Sequence, residues 1–329
     1  RMDIREKVEL LRELGTLKGD GSRILKKLNI PRSTYYDWKR KYEREGIMGL
    51  RKKRARKRRI WNRLMASECD RIIEIAKGYP ELSCRLLAIK ITDEEDFSVS
   101  GSTVYRLLKG RGLIELQPIP DLPAANEWHT KTRKVDIIWQ CDATHYFVVG
   151  WGYYKQIAVI DDHSRYPLAW GLQPNETAFS ISDVVEKAIE YAQAQGHLVD
   201  GHRPLLLSDN GPSFTSKVLA FYLSIHGIKH IFGRPYHPQT QGKIERFHRT
   251  IKENVCLMVY CSPDELKKAI DEAITTYAAT PHTALSNVSS KDVYAGRKEE
   301  ILRRRVEKKR LTLERRKRYN LGENHSGTT

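Results

Sequence analysis

IIWQCDATHYFVV, residues 137–149, is an apolar run with the carboxylate of Asp142 in its middle. It reads as a strand, and an isolated buried acid there is costly unless it is paired, protonated or bound to a cation. Downstream, Gly150-Trp151-Gly152 makes a turn, Tyr154–Ile160 a second strand, Asp161–Pro167 another turn and Leu168–Leu172 a third strand. Amphipathic helical spacing follows over Thr177–Ala194, then a short buried strand at Pro204–Ser208, a helix at Ser216–His226 and a strand at Lys229–Phe232. A long helix is predicted from about Thr240 to Tyr260, with Ile244, Phe247, Ile251, Val255 and Met258 as its apolar stripe, and helices at Pro263–Tyr277 and Glu299–Arg318 come after it. Three consecutive antiparallel strands followed by αβαβα is the order of an RNase H-like α/β fold.

In that strand order the first and fourth strands are neighbours. Asp142 and Asp209, the latter just after the buried Leu205-Leu206-Leu207, can therefore sit side by side at the carboxyl ends of their strands, where sites of open sheets gather. Glu245 on the long helix would cross the sheet to join them. Three converging carboxylates repel one another and demand divalent cations, and hard oxygen donors with open positions suit Mg²⁺ or Mn²⁺, two ions per site. On the same helix Gln241, Glu245, Arg249 and Lys252 follow on one face, so Gln241, Lys243, Arg249 and Lys252 are candidate phosphate contacts; the plain alternative is a solvated, Glu–Arg-paired surface. Asp161 and Asp162 read as a capped turn, and His145, His163, His237 and His248 as structural or DNA-contacting.

Upstream of this α/β core the period is helical. Residues 3–14 place Ile4, Val8, Leu11 and Leu14 on one face behind Asp3 as cap; Ser22–Leu28 is a second short helix; after Asn29-Ile30-Pro31, Ser33 caps a third that stops at Gly46. This is the pattern of a helix-turn-helix unit, whose last helix would enter a major groove by Arg32, Ser33, Thr34 and Tyr35, with Lys39 and Arg40 near phosphates. The pattern recurs over Glu68–Ala76, a helix opened by Pro80, and Ser100–Gly110, where Ser-Thr-Val-Tyr echoes Ser-Thr-Tyr-Tyr of the first unit and makes Ser102, Thr103 and Arg106 the corresponding readers. The expected organisation is a first helix-turn-helix domain at 1–50, a basic linker at 51–63, a second such domain at 64–115, a proline-bearing linker at 116–134, the catalytic core at 135–296 and a basic helical tail at 297–329.

Charge follows these boundaries. The formal net charge is +17, yet residues 67–296 carry 24 Lys/Arg against 28 Asp/Glu, whereas residues 1–66 carry 22 against 8 and residues 297–329 carry 12 against 5. A near-neutral body between basic ends is the footprint of a polyanion binder. In RKKRARKRR, the cations Arg51, Lys52, Lys53, Arg54, Arg56, Lys57, Arg58 and Arg59 repel one another unless anions intervene, so this linker is assigned to the DNA backbone or a minor groove. The five cysteines are scattered, with no Cys-x-x-Cys pair, which suits free thiols in a reducing cytoplasm. No apolar run is long enough for a membrane span, no signal peptide is evident, and no Walker A or Gly-x-Ser-x-Gly pattern supports ATP hydrolysis or acyl transfer. Because the first residue is Arg1, the natural N-terminus is expected upstream.

Around the three carboxylates, WQCDATH (139–145), YYKQIAVIDDHSRY (153–166), LLLSDNGPSF (205–214) and RPYHPQTQGKIERFHRTIKENV (234–255) resemble the integrase-core motifs of bacterial insertion-sequence transposases, the IS-three family and its relatives. Asp142, Asp209 and Glu245 match the Asp-Asp-Glu triad of retroviral integrases and those transposases. YAATPHTALSNVSSKDVYAG (277–296) resembles the closing segment, with Thr280 where the family usually has Arg. The resemblance covers residues 135–296 closely and 1–115 more loosely, and the zinc-binding His-His-Cys-Cys domain of retroviral enzymes is absent, which favours a bacterial, nucleoid-associated protein. It implies a DNA transposase or integrase that binds element terminal repeats and target DNA, cleaves and joins strands with two Mg²⁺ or Mn²⁺ ions, and self-associates into a dimer or larger synaptic assembly. A structure-selective nuclease of the same fold and a domesticated helix-turn-helix regulator are the alternatives. The intact triad argues against the regulator.

Overall fold

The computed structural model describes residues 3–16, 21–51, 60–114, 132–199, 201–233 and 241–322. It divides into two compact units, residues 1–60 and 61–329. The first holds α1 (Ile4–Thr16), α2 (Gly21–Lys27) and α3 (Arg32–Glu45), closed by a 3₁₀ turn at Gly46–Leu50. Val8, Leu11, Leu14, Leu25, Tyr35 and Leu50 form its core. The turn before α3 is built on Asn29 at φ 55, with Asn29 N–H donating to Lys26 O at 3.2 Å and Ile30 N–H to Leu25 O at 2.9 Å. These two bonds satisfy the orphan carbonyls of α2, and Asn tolerates the left-handed conformation they require. The N-cap of α3 is Pro31 rather than Ser33: the fixed φ of proline suits the entry to a helix, and Ser33 falls inside the first turn.

The second unit begins with another three-helix module, α4 (Ala66–Gly78), α5 (Cys84–Glu94) and α6 (Gly101–Gly110), around Ile72, Leu87, Ile91, Phe97, Val104 and Leu108. Here α5 starts four residues later than Pro80 suggests. Ser83 caps it by accepting from Leu86 N–H, and the residue before a proline is itself turned away from helical geometry. Ser100 caps α6 in the same way, accepting from Thr103 N–H. A Cβ at Gly101 would lie 3.2 Å from the Arg85 Cα, a tight approach that the glycine relieves.

The α/β core follows with β1 (Ile138–Val148), β2 (Gly152–Asp161) and β3 (Pro167–Gln173), then α7 (Ala178–Ala194), β4 (Leu205–Ser208), α8 (Lys217–Ile225), β5 (Lys229–Phe232), α9 (Gly242–Val255) and α10 (Pro263–Ala279). The sheet order is β3-β2-β1-β4-β5, with β1, β2 and β3 antiparallel and β4 and β5 parallel to β1 and to each other. This is the RNase H-like arrangement. Side chains alternate across the strands, so both faces are buried differently. Trp139, Cys141, Ile157 and Val159 pack under α7 and α8, while Tyr146, Val148, Ala158 and Ile160 pack under α9 and α10. A two-strand ribbon, β6 (Pro281–His282) with β7 (Val288–Ser289), and the short α11 (Ser290–Tyr294) lead to α12 (Lys298–Leu321).

The basic α12 is not a free tail. Arg305 forms two bonds to Asp93, at 2.8 and 2.6 Å, Lys308 donates to Thr92 O and Glu95 O, Arg315 pairs with Asp96 at 2.6 Å, and Arg316 pairs with the buried Glu68 at 2.8 Å. The helix thus straps the second helical module to the end of the core. No helix among the described residues is long and apolar enough to cross a membrane.

Candidate active site

Continuing the β1–β4 register, in which Ile138 faces Leu205 and Gln140 faces Leu207, two further residues sets Asp142 level with Asp209. Asp142 has a side chain 22% exposed. Burial, followed by the negative charges of Asp209, Glu245 and Glu176, pushes its carboxyl up to about 7, against a bond from Ala143 N–H that holds it down. Asp209 is exposed, and Gly211 N–H donates to its Oδ1 at 2.9 Å, so the Asp-Asn-Gly turn orients it. Glu245, also exposed, lies in the first turn of α9, and partial desolvation raises its carboxyl. The acid that sequence reasoning missed is Glu176, in the connection from β3 to α7, whose charge acts on Asp142 and Cys141. It stands in a loop without periodicity, and no local signal distinguishes it from a surface acid.

The cation nearest in kind to Asp142 is weak. His248 Nε2 lies 3.8 Å from Asp142 Oδ2, but the ring is 5% exposed, makes no hydrogen bond among the described residues, and is pushed down to about 4, chiefly by burial, so it is neutral. Asp142 is therefore acted on chiefly by burial and by the charges of other carboxylates, Asp209, Glu245 and Glu176. An all-oxygen donor set of this kind fits a hard divalent ion. Among the described residues no three His, Cys, Asp or Glu side chains stand close enough to hold a metal as they are.

The α9 face divides. Ile244, Phe247, Ile251 and Val255 are buried in the sheet-facing stripe, but Met258 lies beyond the helix end and is 71% exposed. The helix stops at Val255, short of the predicted Tyr260. Arg249 is exposed and pairs with Glu253 at 3.6 Å. Lys252 is half-buried with its ammonium 5.6 Å from the Tyr146 ring centroid. Gln241 is buried at the N-cap of α9, its Nε2 without a partner among the described residues. Lys243 is turned inward: its Nζ lies 2.6 Å from Asp162 Oδ2 and 2.9 Å from Asp162 O. Lys243, expected as a phosphate contact, thus has its ammonium paired with a buried carboxylate while the side chain stays 27% exposed.

In the first helical unit Arg32 and Ser33 are exposed and Arg32 bonds Ser22, Thr34 is half-buried, and Lys39 lies 3.9 Å from Glu43. Tyr35, expected at the groove, is 7% exposed and packs within the core of the unit. On α6, Ser102 and Arg106 are exposed and Thr103 is half-buried, its hydroxyl 2.9 Å from Ser100 Oγ. Arg51 is exposed. Lys52, Lys53, Arg54, Arg56, Lys57, Arg58 and Arg59, with His237 and most of the 116–134 linker, lie outside the described residues. Asp161 accepts from Ser164 N–H and Oγ at 2.7 and 2.6 Å, as a turn cap does, and His163 Nδ1 is 2.7 Å from Thr132 O. Thr280 ends α10, its hydroxyl donating to Thr276 O at 2.7 Å. Close by in sequence, Pro281 O and Asn287 Oδ1 accept hydrogen bonds from Arg85.

Residues 132–238 and 226–289 match the integrase core domain family, and residues 34–108 match a homeodomain-like domain. The chain is 36% identical over 120 residues to the Gag-Pro-Pol polyprotein of Mason-Pfizer monkey virus, across 36% of this chain and 6% of that protein. It is 30% identical over 148 residues to the Gag-Pro-Pol polyprotein of mouse mammary tumor virus, across 44% of this chain and 8% of that one. It thus spans less than a tenth of these relatives. Among solved structures, the HTLV-2 integrase catalytic core domain in complex with magnesium aligns with a TM-score of 0.39 at 21% identity, over 50% of this chain and 99% of that one.

Proposed function

We propose that this chain is a DNA strand transferase of the insertion-sequence type, close to the IS-three family, which binds the ends of a mobile element and joins them to target DNA. The observation that carries the reading is the register of β1 against β4. Continued by two residues, it would bring Asp142 level with Asp209, with Glu245 in the first turn of α9, in an RNase H-like core matching the integrase family. In this reading Asp142, Asp209 and Glu245 would hold two Mg²⁺ or Mn²⁺ ions, which when bound supply charge stabilisation to the phosphoryl group and acidify a water. By fixing those ions, the same carboxylates would determine where the scissile phosphodiester sits relative to its nucleophile. Water attacks first and breaks a P–O bond, leaving a 3′-hydroxyl on the element end; that hydroxyl then attacks a target phosphodiester and releases another strand end. No protein–DNA bond and no nucleotide cofactor are needed. Arg249 and Lys252 would meet flanking phosphates, while the two helix-turn-helix modules and the Arg51–Arg59 segment select and grip the end as duplex DNA. Synapsis of two ends requires self-association.

The test is strand transfer by the full chain in Mg²⁺ on duplexes carrying candidate terminal repeats. D142N, D209N and E245Q should each abolish cleavage and joining, while end binding stays within a few-fold of the unsubstituted protein. Joining by any one of the three variants sinks the assignment, and cleavage without joining by the unsubstituted protein identifies a nuclease.

A further inference from the structure

Directly behind the three carboxylates lies a second polar cluster that the chemistry above does not use. Gln140 stands two residues before Asp142 on β1, on the same face, and is 1% exposed. Its Oε1 accepts from Ile244 N–H at 3.1 Å, and its Nε2 donates to Asp162 Oδ1 at 2.7 Å. Asp162 is 6% exposed, and its Oδ2 accepts from Lys243 Nζ at 2.6 Å and from Thr132 Oγ1 at 2.5 Å. Lys243 and Ile244 are the two residues before Glu245 in the first turn of α9.

The first N–H groups of a helix have no acceptor within the helix. Here the N–H of Ile244 is satisfied by β1, and the neighbouring ammonium is satisfied by the turn between β2 and β3. Apolar packing of Ile244, Phe247 and Ile251 holds α9 against the sheet but is non-directional. A slip of one residue would turn the helix by about 100° and shift it by about 1.5 Å, enough to carry Glu245 away from Asp142. Hydrogen bonds are angularly demanding, and a satisfied buried network is rigid. We propose that the Gln140–Asp162–Lys243 network sets the rotation and register of α9, making Asp162 and Lys243 positioning residues for Glu245. The consequence for metal binding rests on the function proposed above; the positioning itself does not.

Amide hydrogen exchange in the full chain without divalent ions reads the positioning directly. Ile244 N–H should be protected despite its place in the first turn. K243M and D162N should speed its exchange at least tenfold, and K243R, which keeps a donor cation, should have a much smaller effect. K243M leaves Asp162 its bonds to Gln140 and Thr132, so it should stay folded by circular dichroism even if D162N does not. Calorimetric titration with Mn²⁺ should show about tenfold weaker binding in K243M and little change in K243R. Unchanged Ile244 exchange in K243M overturns the proposal. So does a fall in duplex affinity and in its salt slope with Mn²⁺ binding intact, which would make Lys243 a phosphate contact. If the exchange pattern holds but the unsubstituted chain binds no Mn²⁺, the metal reading fails and the positioning stands.

Discussion

Asp142 carries a consequence for stability that is measurable without DNA. Its carboxyl rises from 3.8 to about 7 on folding, mainly through burial and then through Asp209, Glu245 and Glu176. A group whose pKa is raised by folding favours the folded state fully below its unfolded value and loses that contribution as pH rises through its folded value. Between pH 4 and pH 7 the metal-free protein should therefore lose roughly 2–4 kcal/mol at this position. In EDTA, D142N should melt several degrees above the unsubstituted chain at pH 8, and the gap should close near pH 4; equal pH profiles would mean that Asp142 is not held among like charges. Tyr35 gives a different residue-scale outcome. Since it packs with Leu11 and Leu25 inside the first unit, Y35A should cost about 3 kcal/mol in the unfolding of residues 1–60. Arg32→Ala, at an exposed position, should leave that unfolding within about 0.5 kcal/mol. Y35A with unchanged stability and altered sequence preference would return Tyr35 to the groove.

Among the elements, α9 and the far more basic α12 show how cationic helices come to different uses. On α9 the outward Arg249 and the half-buried Lys252 remain beside Glu245. R249A/K252A should flatten the salt dependence of duplex binding by about one log unit per lost phosphate contact, and an unchanged slope would leave both as surface residues. On α12 much of the charge is spent inside the protein. Arg316 and Glu68 have side chains 8% and 3% exposed, so R316M leaves the buried carboxylate with the longer Arg315 contact at 3.4 Å and the Met65 N–H, and should cost about 3 kcal/mol by urea unfolding. The loss should appear as faster amide exchange in α4 and α5, while E68Q/R316M should recover part of it. An effect confined to DNA binding would show that α12 is a DNA element after all.

At the scale of the molecule, the compact units part between Ile60 and Trp61, within the basic linker, while the second helical module is bound to α12 and, through Arg85, to the β6–β7 region. A cut at residue 134, which follows the composition, separates Asp93 from Arg305 and Glu68 from Arg316. Residues 61–329 expressed alone should unfold in one cooperative step. Residues 61–134 alone should resist proteolysis far less than the same segment in that longer fragment; equal resistance would show that the strap adds nothing to the module. Removal of residues 1–60 should alter which duplex is preferred, read by competition with unrelated DNA, and leave the carboxylate site in place.

Periodicity is a local property, and so the sequence alone was sufficient for the strands around Asp142, the αβαβα that follows them, the two three-helix patterns and the alignment of Asp209 with a strand end. Helix limits shifted at Ser33, where Pro31 opens α3, at Pro80, where the Ser83 hydroxyl caps α5, and at Tyr260, since α9 ends at Val255. What sequence could not supply was the partner of each charge. Lys243 meets a residue 81 positions away and Arg316 one 248 positions away. No window along the chain contains both ends of such a pair. Only the folded chain, by burying Asp162 and Glu68, selected from many similar cations the ones that neutralise them.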